Sequence, residues 1–164
     1  KTFSEIYNKS FTILRLFNIY GEGQSPNMFI PELINSCLVK QDFKMTKGEQ
    51  IREFNYVEDV ITGLLLAAVT PAANGEVINI GNGKGIQLRE IAEIIVKLFG
   101  NCIELKLGAI DYRENEIMRM YSDNSKAKKI LDWHPRYSIK EGLKNTVNYY
   151  IRKTKTNILS NINN

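Results

Sequence analysis

The stretch Phe11-Thr12-Ile13-Leu14-Arg15-Leu16-Phe17-Asn18-Ile19-Tyr20-Gly21 constrains this chain more than any other. Residues 11–17 are rich in β-branched and aromatic side chains and read as a buried strand. The strand runs into a polar turn, and the segment up to Asn27 holds Gly21, Gly23, Ser25 and Pro26, which marks a loop. In an open α/β sheet, ligands collect beyond the carboxyl ends of the strands, and Asn18 stands at that point. Its amide can donate to a phosphate or sugar oxygen and accept from a hydroxyl. It can equally bond its own backbone as a turn former, and the residue alone leaves both readings open.

Helical and extended patterns then alternate. Residues 1–8 read as the end of a helix. A helix is expected over 28–40, with Ile30, Leu33, Ile34, Cys37 and Leu38 facing inward, and Pro31 is tolerated in its first turn. Short strands are expected at 43–46, 76–80 and 104–107, an extended piece at 52–56, and helices at 57–70, 88–99, 124–132 and 138–152. The last helix opens on a capping box, Ser138 to Glu141. Residues 109–119 read as irregular and charged. The chain reads as one α/β domain over 1–153, and the Asn-rich tail 154–164 reads as disordered.

Composition narrows the function. Of the 164 residues, 43% are hydrophobic and 24% charged, the balance of an ordinary globular protein. The longest apolar run, Leu64–Val69, is far too short to cross a bilayer. The first residues lack the apolar region of a signal peptide, so the expectation is a cytoplasmic protein with no membrane partner. The net charge of +4 is scattered. The densest cluster, Lys126, Lys128 and Lys129, is interleaved with Ala127, Ile130 and Leu131 and reads as a solvated helix face, so no nucleic-acid partner is expected. Cys37 and Cys102 read as two buried thiols in a reducing compartment. No Cys/His spacing suggests a metal site, and His134, between Trp133 and Pro135, is a poor general base.

Three further places carry chemistry. Gly81-Asn82-Gly83-Lys84-Gly85 follows a strand and precedes a helix, as a dinucleotide phosphate loop does. The sixth position is Ile86 rather than Gly, and no acidic residue ends a second strand about twenty residues on, so a tight turn is the better reading. Arg52 can grip a diphosphate with two parallel charge-assisted bonds, or it can pair with Glu49 or Glu53 on the surface. Arg113 lies in the irregular segment, where a scaffold can present binding residues, or it is simply solvated. Asp59 reads as a support for the start of the 57–70 helix.

Four motifs, in order over residues 11–150, resemble a single family. Leu14–Gly21 resembles its cleft strand, and Gly48–Val60 its Gly-x-x-x-Arg-Asp-Phe-x-x-Val-x-Asp-Val segment. Asn79-Ile80-Gly81 resembles its Asn-Ile-Gly strand end. Asp123-Asn124-Ser125-Lys126-Ala127 with Leu131-Asp132-Trp133-His134-Pro135 resembles its Asp-x-Ser-Lys-Ala…Leu-Gly-Trp-x-Pro stretch. The family is that of the NAD(P)-dependent nucleotide-sugar epimerases, dehydratases and reductases, the extended short-chain dehydrogenases.

The resemblance implies the C-terminal, substrate-binding portion of such an α/β enzyme, with the last strands of an incomplete Rossmann sheet. Only ten residues precede the cleft strand. The family's glycine loop and the Tyr of its Tyr-x-x-x-Lys pair are therefore expected upstream, and the fragment alone is expected to be inactive. Lys1, in Lys1-Thr2-Phe3-Ser4-Glu5, resembles the Lys of that pair and is the one catalytic candidate. Phe17 is implied near the nicotinamide of NAD or NADP. For a nucleoside-diphosphate sugar, Asn18 is implied at the phosphate or sugar, and Met28 and Phe29 (with Ile30) at the helix covering the nucleotide. Met45 (with Phe43 and Lys44) is implied at the base, Arg52 and Arg113 as a diphosphate clamp, and Glu116 at the ribose. A homodimer is implied for the whole enzyme, and a fragment lacking its other half is expected to self-associate. The alternative is a non-catalytic binding or regulatory module of the same fold. Departures from the family pattern are Glu53 for Asp, Asn115 for Gly, Asp132 for Gly, and Gln87 for Ser/Thr, the last expected to weaken a helix cap.

Overall fold

The computed structural model describes residues 6, 7 and 9–162. Among the described residues, nine short strands and five α-helices form a mixed α/β fold in which no sheet exceeds three strands. β1 (Ile13–Leu16) pairs in parallel with β6 (Val77–Ile80). β2 (Ile19–Tyr20) pairs with β5 (Asn55–Tyr56), and β3 (Phe43–Met45) with β8 (Leu105–Leu107), both in parallel. β4 (Ile51–Arg52) lies between antiparallel β7 (Ile86–Gln87) and parallel β9 (Arg119–Met120).

The helices follow their apolar spacing. α1 (Phe29–Val39) buries Ile30, Leu33, Ile34 and Cys37, positions i, i+3, i+4 and i+7. It stops where Lys40 turns left-handed at φ 55° and Gln41 N–H donates to the Ser36 carbonyl. α2 (Val57–Val69) and α3 (Leu88–Leu98) follow. The cap of α3 is better than its Gln87 suggests, because the Glu90 carboxylate accepts from the Gln87 N–H at 3.3 Å. α4 (Ser125–Leu131) ends at Asp132, φ 50°, so the family's Gly position is a left-handed turn that this chain fills with Asp. α5 (Ile139–Ile162) opens on the expected capping box: Ser138 N–H donates to Glu141 Oε2 at 2.9 Å and Glu141 N–H to Ser138 Oγ at 3.3 Å. It does not end near Lys153. The segment after it contains no Pro or Gly, and Thr154 and Thr156 hydroxyls donate to carbonyls one turn back, so the helix continues where disorder was expected.

Two cores result. The larger gathers α1, α3 and α5 around Tyr20, Phe43, Met45, Phe54 and Tyr56. Tyr20 lies so close to α5 that a Cβ on Gly142 would stand 2.1 Å from its hydroxyl. The smaller core holds Val60, Ala67, Ile78, Ile80, Leu131 and Trp133. Trp133, the only tryptophan, is 1% exposed and donates its indole N–H to the Asp59 carbonyl at 2.9 Å.

The strand read as buried is not. Ile13 and Leu16 of β1 are exposed, and only Leu14 packs on the smaller core. Side chains stand on the faces of a strand, and among the described residues only the face that carries Leu14 is packed by a core. On α2, Ile61, Leu65 and Val69 form a second exposed apolar stripe at 47%, 64% and 75%.

Candidate functional site

Beyond the carboxyl ends of β1 and β2 lies a cavity of about 460 Å³, within the size range of small-molecule sites. Its walls come from separate segments. The turn after β1 supplies Asn18, β2 supplies Ile19, the loop after β2 supplies Gln24, and the start of α1 supplies Met28, Phe29 and Ile30. β3 supplies Phe43, Lys44 and Met45, and the 50–54 segment supplies Gln50, Arg52 and Phe54. The loop after β8 closes the cavity with Ile110, Asp111, Arg113 and Glu116. Phe29 and Phe43 meet edge to face, with ring centroids 6.0 Å apart.

Arg52 is the best-positioned cation in this cavity. Its side chain is only 13% exposed. One terminal nitrogen donates to the Ile51 carbonyl at 3.0 Å and the other to Glu116 Oε1 at 2.6 Å. Its partner is thus neither Glu49 nor Glu53, as a surface pairing would have it. Glu49 accepts from the Tyr112 hydroxyl at 3.0 Å. That bond, with Ile110 N–H on the Met45 carbonyl, fastens the 109–116 loop to the cavity wall. A tight turn, Glu116 N–H to the Arg113 carbonyl at 3.0 Å, then presents Arg113 and Glu116 together.

Glu53, fully buried, organises the floor behind the site. Its carboxylate accepts from Ser122 N–H at 2.6 Å, Ser122 Oγ at 3.0 Å and Gly83 N–H at 2.9 Å. A Cβ on Gly81 would stand 2.7 Å from Glu53 Oε2 and 2.3 Å from Ser122 Oγ, so only glycine admits this close approach. The rest of the turn is spent on protein partners as well: Asn82 N–H donates to Asn55 Oδ1 and Lys84 N–H to Asn82 Oδ1, both at 2.7 Å. The N–H groups that a dinucleotide loop turns toward phosphate here serve a carboxylate and two side-chain amides. Gly81–Gly85 is therefore a structural turn and does not fit a dinucleotide pyrophosphate. Asp59 is likewise structural, but it does not cap its own helix. Its two oxygens accept from Arg136 N–H at 2.9 Å and Tyr137 N–H at 3.2 Å, holding the approach to α5.

All seven residues implied for substrate, Asn18, Met28, Phe29, Met45, Arg52, Arg113 and Glu116, line the one cavity. Phe17 does not line it; its carbonyl accepts from Asn55 Nδ2 at 2.9 Å. Lys1 lies outside the described residues. Sequence reasoning missed Gln24 and Gln50. Gln24 Nε2 donates to the Ile19 carbonyl at 2.8 Å, and its backbone carbonyl accepts from the Tyr150 hydroxyl at 3.0 Å. Its Oε1 is buried with no hydrogen-bond partner among the described residues. The Ile19 contact fixes the amide orientation, since a flipped amide would set oxygen against oxygen. Gln50, 4% exposed, accepts from the Thr46 hydroxyl at 3.2 Å. Gln50 stands among Lys47, Gly48, Glu49, Arg52 and Glu53, and nothing in that polar stretch signals its burial.

The mixed α/β scaffold that carries this arginine-bearing cavity beyond its strand ends is also what similar proteins are built on. The model of the NAD dependent epimerase/dehydratase family matches residues 1–81. A UDP-glucuronate 4-epimerase from Thermodesulfobacterium geofontis is 34% identical over 150 residues, which is 90% of this chain and 45% of the relative. The crystal structure of UDP-glucose 4-epimerase from Thermotoga maritima with UDP-glucose superposes with a TM-score of 0.85 at 29% identity, over 93% of this chain and 50% of that one. The UDP-glucuronic acid 4-epimerase of Bacillus cereus, in complex with UDP-glucuronic acid and NAD, gives 0.84 at 28% identity, over 93% and 48%. The chain belongs to the NAD-dependent epimerase/dehydratase family. It spans about half the length of the curated relatives it matches.

Proposed function

We propose that this chain is the nucleotide-sugar-binding half of an NAD(P)-dependent sugar-nucleotide epimerase, 4,6-dehydratase or 4-keto reductase. The observation that carries the reading is the convergence of Asn18, Met28, Phe29, Met45, Arg52, Arg113 and Glu116 on a single cavity. In this reading the diphosphate lies against Arg52 and Arg113. Arg52 is preorganised for it, because Glu116 and the Ile51 carbonyl already fix its fork. The nucleoside lies along Phe29, Phe43 and Met45, with Glu116 able to accept from a ribose hydroxyl. Asn18 reaches the phosphate or the sugar.

NAD or NADP is the cofactor proposed for the whole protein, where it would supply hydride transfer to and from the sugar. Among the described residues only Phe17 is proposed to approach it, and Lys1 is proposed as the lysine of the catalytic pair. A homodimer and a cytoplasmic location are proposed for the whole protein; among the described residues no helix is long and apolar enough to cross a membrane.

The test is calorimetric titration of the chain with UDP-glucose. An Arg52→Ala, Arg113→Ala double variant is expected to bind about 100-fold more weakly, as loss of two charge-assisted contacts implies. An unchanged affinity would sink the clamp.

A further inference from the structure

Cys37 and Cys102 are 65 residues apart in sequence, yet the fold brings them together. Cys102 Sγ donates to the Cys37 carbonyl at 3.6 Å, which sets the Cys102 thiol directly against the last turn of α1 that carries Cys37. Both are free. Cys37 is buried in the last turn of α1, and Cys102 is half-buried in the loop between α3 and β8. The chain around them is already held. Phe43 N–H donates to the Glu104 carbonyl at 3.0 Å and Glu104 N–H to Asp42 Oδ1 at 2.9 Å, just before β3 and β8 zip together. The pair therefore sits where α1 gives way to the β3–β8 ladder, and α1 and β3 both line the cavity.

We propose that Cys37 and Cys102 form an intramolecular disulfide in the presence of a small-molecule disulfide and act as a redox-sensitive staple between α1 and the β3–β8 ladder. The accessible Cys102 thiolate attacks one sulfur of oxidised glutathione, forming a mixed disulfide and expelling one glutathione thiolate. Cys37 Sγ, giving up its proton to solvent, then attacks Cys102 Sγ and expels the second. The two protein thiols lose two electrons, and the glutathione disulfide gains them and becomes two thiols. The order follows from accessibility. Burial pushes the Cys37 thiol up to about 12, with Cys102 beside it adding to the effect, so Cys37 is the resolving thiol rather than the first nucleophile. The closed loop is long enough for the bond to restrict the unfolded chain appreciably.

The experiment is incubation of the folded chain with oxidised glutathione, followed by intact mass, a non-reducing digest and a thermal melt. The expected result is a monomer lighter by two hydrogens, a linked Cys37–Cys102 peptide, and a Tm raised by roughly 5–10 °C and restored by a reductant. Cys102→Ser must abolish all three changes, and Cys37→Ala must stop at a single glutathione adduct on Cys102. A lasting adduct on the unmutated chain, a disulfide between two chains, or a Cys102 that stays alkylatable after treatment overturns the proposal. None of these readouts depends on nucleotide-sugar binding.

Discussion

Ser122 gives both its backbone N–H and its hydroxyl to the buried carboxylate of Glu53, at 2.6 and 3.0 Å. Three segments distant in sequence are joined at this point, because the same carboxylate also receives Gly83 N–H. Removing it leaves buried donors without acceptors. Glu53→Ala is expected to cost about 3 kcal/mol of stability. Gly81→Ala is expected to be comparably destabilising, since its Cβ would press on the same carboxylate. Urea unfolding of each variant and of the pair checks this: the two losses share one cause and should fall well short of adding.

Gln24 lines the cavity, its Oε1 is a buried acceptor with no partner among the described residues, and a phosphate offers it no proton. A ligand hydroxyl or N–H does. Gln24→Leu is expected to weaken UDP-glucose about 10-fold, the worth of one hydrogen bond to a buried group, and to leave UDP alone within about 2-fold. Parallel titrations with the two ligands decide it; equal losses would place the amide's partner on the nucleotide.

Acid should loosen the entry to β3. The backbone N–H of Glu104, with Lys106 adding its charge, holds the Asp42 carboxyl below the usual carboxylate range. A carboxyl depressed in the folded state contributes stability above its unfolded pKa, about 4, and that contribution is lost as pH falls through the lower folded value. Asp42→Asn is therefore expected to be less stable than the unmutated chain at pH 7, with the gap closing below the folded pKa. Thermal melts of both proteins from pH 7 to pH 2 measure it.

The apolar stripe Ile61, Leu65 and Val69 on α2, with Ile13 and Leu16 on β1, should make the isolated chain associate as concentration rises. Sedimentation velocity across a concentration series is expected to show this. A Leu65→Lys, Val69→Lys variant is expected to remain monomeric to higher concentration, with its circular dichroism unchanged. A monodisperse unmutated chain would count against the patch.

Much of this was legible in the residues. Apolar spacing gave α1 and α3, and a capping box gave the start of α5, because both are local signals. The cavity residues were reached through motif resemblance, and the fold does bring them to one place. Long-range pairing was not legible. Arg52 has Glu49 and Glu53 as near neighbours in sequence but bonds Glu116, 64 residues away. β1 reads as buried from composition alone, yet its exposure depends on what packs against each of its faces, which one strand cannot encode. Gln24 and Gln50 escaped notice because an amide announces nothing until its partners are known.

The division into two cores has a consequence for how the molecule breathes. The cavity rests on the larger one, through Ile30, Phe43, Met45 and Phe54. The smaller one carries the four-residue β1–β6 ladder, half open to water. Such a unit can open on its own without global unfolding. Amides of 13–16 and 77–80 would then trade their hydrogens for deuterium early, while those of α1 and α3 wait for the whole chain to melt, so the ligand cradle outlives the fraying of its neighbour.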